Sequence, residues 1–156
     1  MASSSMSYGV FAASLFLAAC LTIIPMEGVA AILRPEWIAL VMVYWTLYRD
    51  QSVGIMANWM VGLFWDVLVG TTLGLHAGSL ALQAYLLLTM SQRLLLFPVL
   101  QQSVIVFAVI GINLMLFRWI DGFISNPAID MGFLIPAVTS ALLWPLLRFI
   151  LHRLDN

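Results

Sequence analysis

The chain has 156 residues, of which 63% are hydrophobic and only 8% charged. Soluble domains carry about 25% charged residues, so this composition excludes an ordinary water-solvated surface and fits a chain solvated by lipid. Six arginines, no lysine and seven acids give a net charge of −1, which leaves no basic patch for a nucleic acid. The length suits one domain, residues 1–156. The single Cys20 excludes an intramolecular disulfide and any cysteine-cluster metal site.

A helix needs roughly 20 apolar residues to cross a hydrocarbon core of ~30 Å. The first candidate span runs from about 8 to 25, uncharged throughout, and ends at Pro25 before Glu27-Gly28. Within it, Leu17-Ala18-Ala19-Cys20 is similar to a lipoprotein cleavage site. Residues 1–19 carry no Lys or Arg, however, whereas a signal peptide opens on positive charge. Cys20 is therefore read as a small residue packed inside the first helix.

The second span, about 35–48, is short and well marked. Arg34-Pro35-Glu36 precedes an apolar run from Trp37 to Tyr48, and Arg49-Asp50 follows it. Proline suits a first helical turn and an acid suits the positive helix end, while Tyr and Trp near the ends suit the interfacial belt. The third and fourth spans, about 53–69 and 73–90, are separated by the turn Gly70-Thr71-Thr72, and Ser91-Gln92-Arg93 closes the fourth. The fifth, about 103–120, follows Pro98 and Gln101-Gln102. A wet loop holding Arg118, Asp121, Gly122, Asn126, Pro127 and Asp130 leads to the sixth, about 133–151.

The reading is an all-α polytopic membrane protein of six transmembrane helices. Six spans place both termini on one side. Arg49, Arg93, Arg148 and Arg153 then share that side, against Arg34 and Arg118 opposite, so the positive-inside rule makes it the cytoplasmic side. No loop exceeds about a dozen residues, which leaves no soluble domain.

An ionisable side chain at membrane depth costs at least ~2.5 kcal/mol at the bilayer centre, so it calls for a partner or a role. Asp66, near the end of the third span, has two candidate partners at that end, His76 and Arg118. A proton relay would need more acids or histidines deeper in the chain, and there are none. Asn58, Gln83 and Asn113 are the mid-membrane amides: hydrogen-bonded packing contacts on one reading, the lining of a small-molecule pocket on the other. Gly70, Gly74 and Gly78 recur every four residues. The first serves the turn, and the other two form a face on which another helix, of this chain or a partner, packs closely. Pro145 predicts a kink that frees the carbonyl of Ala141 for the hydroxyl of Thr139 or Ser140.

No nucleotide loop, nucleophile elbow, zinc-protease motif or paired intramembrane carboxylate occurs. His76 and His152 fall at opposite ends of the spans. No cofactor or metal is expected, and no enzyme.

Five blocks carry a family resemblance: Arg34-Pro35-Glu36-Trp37, Tyr44-Trp45, the run from Gly62 through Asp66 and Gly70 to Thr72-Leu73-Gly74, Gln101-Gln102, and Leu143-Trp144-Pro145. Through them the chain resembles the MreD family of the bacterial rod-shape system, over nearly its whole length. It departs from the family at Glu36, where Asp or Asn is common. It departs again at Tyr48-Arg49-Asp50-Gln51, where a proline and a basic cluster are common.

The resemblance implies a non-catalytic partner of MreC in the inner membrane, binding that protein's single membrane helix. Through MreC it implies association with MreB, RodA and a class B penicillin-binding protein. It also implies a fold similar to the substrate-binding subunits of ECF transporters. The structural or partner-contact candidates are Arg34, Pro35, Trp37, Asp66, Gly70, Gly74, Gly78, Arg118, Trp144 and Pro145. A small-molecule-binding or transport subunit is the alternative function.

Overall fold

A computed structural model describes residues 8–49, 53–125 and 130–155. Six longer helices account for most of them: α1 (Tyr8–Ile23), α3 (Trp37–Tyr48), α4 (Ile55–Val69), α5 (Leu75–Leu94), α6 (Val99–Ser125) and α7 (Ile135–Asp155). A single helical turn, α2 (Val29–Ile32), precedes α3, and a 3₁₀ turn over Met131–Leu134 precedes α7. The architecture is all-α, as the sequence predicts.

Among the described residues, three segments are by length and composition apolar enough to cross a membrane: Val29–Tyr48, Val99–Phe123 and Met131–Asp155. The helices Tyr8–Ile23 and Ile55–Val69 are apolar but shorter. Helix α5 has the length, but His76, Gln83, Ser91, Gln92 and Arg93 make it more polar than these.

The short second span is the centre of the bundle. Ten consecutive residues of α3, Ile38 to Leu47, are buried, which an amphipathic helix never shows and a helix enclosed on all sides does. Helices α1, α5, α6 and α7 all pack on it. The other helices bury one stripe each: Asn58, Gly62, Trp65 and Asp66 on α4, then Ala77, Leu80, Gln83, Ala84 and Leu87 on α5. Their opposite faces expose Phe64, Val67, Leu100, Val104 and Leu142, side chains suited to lipid.

Several boundaries differ from expectation. Helix α6 extends through Arg118, Asp121 and Gly122, which the sequence places in a loop; polar residues at an interface do not stop a helix that lacks a breaker. Asn126 and Pro127 lie outside the described residues, as do Asp50 and Gln51 of the departure after the second span. Pro145 sits inside α7, but the hydroxyls of Thr139 and Ser140 bond the carbonyls of Ile135 and Pro136 instead of the one freed at Ala141. A helical Ser or Thr reaches back three or four residues, so neither reaches forward to Ala141.

Candidate functional site

Two polar centres lie at the end of the bundle where α1, α4 and α6 finish and α3, α5 and α7 begin. The first is Asp66, fully buried in the last turn of α4. Its carboxylate accepts from the backbone N–H groups of Gly74 (2.9 Å), His76 (3.0 Å) and Ala77 (3.3 Å). It also accepts from Thr71 Oγ1 (3.0 Å) and His76 Nδ1 (2.7 Å). The backbone donors are the ones an α-helix leaves unpaired at its N-terminus. Asp66 thus caps α5 from the preceding helix, and its negative charge complements the positive end of that helix.

The turn is built to allow this. Gly70 (φ 72°) ends α4 in the left-handed conformation and Gly74 (φ 98°) precedes α5 in the same region, a backbone that L side chains rarely adopt. One turn before Asp66, a Cβ added at Gly62 would stand 2.5 Å from the Ala77 Cα and the His76 carbonyl oxygen. Helices α4 and α5 therefore touch backbone to backbone at Gly62. Of the two packing options for Gly74 and Gly78, a helix of this chain is not the one seen among the described residues: a Cβ at either meets nothing within 4 Å, and Gly74 serves the turn.

Arg118 makes no contact with Asp66; its guanidinium lies 5.7 Å from the centre of the Phe133 ring. His76 is the partner, and its ring packs 5.0 Å from Phe117.

The second centre is the break between α2 and α3. The Arg34 guanidinium turns back to the Ile24 carbonyl at the end of α1, and its Nε is buried without a partner. The Pro35 carbonyl accepts from Trp37 N (3.0 Å), and the Trp37 indole N–H is also buried and unpaired. The Glu36 backbone N–H donates to Ser140 Oγ at 2.9 Å, which ties the break to α7. Glu36 occupies the N-cap position of α3, yet its side chain makes no cap bond.

The amides divide. Asn113 Nδ2 donates to Gln83 Oε1 (2.8 Å), and Gln83 Nε2 donates to the Ala39 carbonyl (2.9 Å), so one relay joins α6, α5 and α3. Asn58 turns away to Thr46 Oγ1 and the Gly54 carbonyl. Asn58 is thus outside the relay that joins the other two.

At the opposite end, the fully buried Trp144 donates to Gln102 Oε1 at 3.3 Å, while Gln102 Nε2 donates to the Leu94 and Phe97 carbonyls that close the α5–α6 turn. Arg49 pairs with Asp155 at 2.8 Å, joining the ends of α3 and α7. Sequence reasoning missed Gly62, Ser140 and this ion pair. The spacing Asn58, Gly62, Asp66, small or polar every fourth residue in an apolar helix, marked the inward face of α4.

A concave apolar surface completes the picture. Helices α1 and α4 stand apart across α3 and wall a groove of about 660 Å³, lined by Phe11, Ala12, Leu15, Phe16, Ala19, Cys20 and Ile23 from one side. Met60, Val61, Phe64, Trp65 and Leu68 line the other side, with Ile38 between. Among the described residues no group of three or more His, Cys, Asp or Glu side chains is placed to hold a metal.

No solved structure matches the chain. The rod shape-determining protein MreD of Haemophilus influenzae is 28% identical over 122 residues, covering 78% of this chain and 75% of that protein. The sequence profile of the rod shape-determining protein MreD matches residues 3–154. That range takes in the capped Asp66 turn, the break before α3 and the Trp144 contact alike. The chain belongs to the MreD family, whose members are non-catalytic, shape-determining, multi-pass membrane proteins.

Proposed function

We propose that this chain is the membrane scaffold of the bacterial wall-elongation assembly, holding the single membrane helix of MreC in the groove between α1 and α4. Through MreC it acts with MreB, RodA and a class B penicillin-binding protein in lateral peptidoglycan synthesis. All six long helices cross the inner membrane in this reading. Both termini face the cytoplasm, where Arg49, Arg93, Arg148 and Arg153 satisfy the positive-inside rule.

The groove is the observation that carries the proposal. Its walls are two helical faces: residues 11, 12, 15, 16, 19, 20 and 23 of α1, and residues 60, 61, 64, 65 and 68 of α4. That spacing is what a third helix meets when its side chains fill the holes between two others. Ala12 and Ala19 stand seven residues apart on α1 and allow close backbone approach, the main source of helix association in lipid. The break before α3 and the buried stripe of α3 leave that helix no free face, so a partner has to dock on the outer helices.

Ala19→Trp fills the groove from α1 without touching the Asp66 turn. We expect it to lower MreC recovered with the tagged protein at least tenfold and to round rod-shaped cells. Undiminished capture and rods of normal width would refute the groove as the docking face.

A further inference from the structure

Beside the groove lies a smaller, polar cavity of about 110 Å³, sharing Ile38 and Trp65 with it. Thr22, Glu36, His76, Ser79 and Asn113 supply its polar lining. Several donors among these side chains are already committed. Thr22 Oγ1 donates to the Ala18 carbonyl (2.8 Å) and Ser79 Oγ to the His76 carbonyl (3.0 Å). His76 Nδ1 donates to Asp66, and Asn113 Nδ2 to Gln83.

Acceptors remain. Among the described residues the Glu36 carboxylate has no hydrogen bond and no ion pair; the guanidinium of Arg34 is turned to Ile24. Asn113 is 8% exposed, and its Oδ1 is buried without a partner. Irregular backbone at membrane depth is tolerated where it lines a protein cavity, and the break at Arg34–Glu36 does so. A carboxylate there favours a cationic ligand over an anionic one.

We infer that this cavity receives the cationic N–H head of a basic side chain, a lysine ammonium or its equivalent, projecting from the MreC helix seated in the groove. The inference rests on the groove reading and names the chemistry that the partner brings to it. An ammonium has three donors and no acceptor, which complements the Glu36 carboxylate and the Asn113 Oδ1. The volume is that of three to four waters at ~30 Å³ each, enough for the ammonium and the last methylenes of its stem. Trp65 and Phe117 line the cavity and offer apolar contact for that stem. A zwitterionic lipid headgroup suits the site less well, because its phosphate would stand beside the Glu36 carboxylate.

The test uses the full chain co-expressed with MreC, with Glu36→Gln, Glu36→Asp and Ala19→Trp on this side. On the other side, each Lys or Arg within about two turns of either end of the MreC helix is changed singly to Met. Glu36→Gln is expected to lower capture about tenfold with an unchanged melting temperature, and Glu36→Asp to retain most of it. One MreC substitution should reproduce the loss and add nothing to Glu36→Gln.

Normal capture by Glu36→Gln alongside loss in Ala19→Trp overturns the cavity inference and leaves the groove standing. Normal capture by both removes the groove reading as well. If Glu36→Gln fails to fold, the MreC substitutions decide, since they leave this chain intact: no basic residue that matters means no basic side chain in the cavity. A melting temperature raised by phosphatidylethanolamine vesicles but not by phosphatidylglycerol, lost in Glu36→Gln while capture persists, assigns the site to a lipid head and overturns the inference.

Discussion

Two carboxylates sit at the same end of the bundle and live in opposite circumstances. Asp66 accepts five hydrogen bonds and is fully buried. Among the described residues Glu36 accepts none, and it lines a cavity. A carboxylate with its acceptor sites filled is part of the scaffold, because removing it strands donors that have nowhere else to go. One whose oxygens are unused contributes little to the fold and is available to something else. The contrast separates the part of this end that holds the protein together from the part that is open to a partner.

Removing Asp66 should have the largest effect on stability. Asp66→Ala leaves the N–H groups of Gly74, His76 and Ala77 and the His76 ring without their acceptor. A loss of about 3–5 kcal/mol is expected, as for breaking a buried charged pair from one side, measured by thermal unfolding in detergent. Asp66→Asn keeps one acceptor oxygen and should lose less, about 1–3 kcal/mol. If either variant unfolds at the wild-type temperature while Glu36→Gln does not, the roles assigned to the two acids are reversed.

The same end offers a second contrast, between glycines. Gly62→Val must push the α4 backbone off Ala77 and should cost about 1–3 kcal/mol through overpacking. Gly78→Ala meets open space and should be neutral or slightly stabilising, because alanine favours a helix by up to ~1 kcal/mol over glycine. Melting curves of the two variants check the contrast. Equal destabilisation would mean that Gly78 packs against something this single chain lacks. The smallest effect belongs to the amide relay: Gln83→Leu breaks the bonds to Ala39 and Asn113, and interhelical bonds of this kind average only ~0.6 kcal/mol. A change of several kcal/mol would make the relay far more than a packing contact.

Much of the fold was legible in the sequence, because lipid demands long apolar helices and the turn residues punctuate them. The pairing of Asp66 with His76 was one of two options read from the chain. The choice between His76 and Arg118 was not legible, because it depends on a turn tight enough to bring the N-terminus of α5 onto the end of α4. The central burial of α3 was hidden for a related reason. Periodicity reveals a helix with one wet or one lipid face, and a helix enclosed all round has neither. Glu36 stood in the sequence as part of a motif, but its isolation follows only from where Arg34 turns. Glycine spacing could not tell Gly62, which meets a neighbouring backbone, from Gly78, which meets none in this chain, since the deciding quantity is the distance to that backbone.

The native Cys20 lines the groove and is a free thiol, so the central claim can be tested without altering this chain. Single cysteines placed along the MreC membrane helix, oxidised in native membranes, should cross-link to Cys20 at positions recurring every three or four residues, the mark of one helix face seated between α1 and α4. Cross-linking at no position, or with equal efficiency at all of them, would contradict the account.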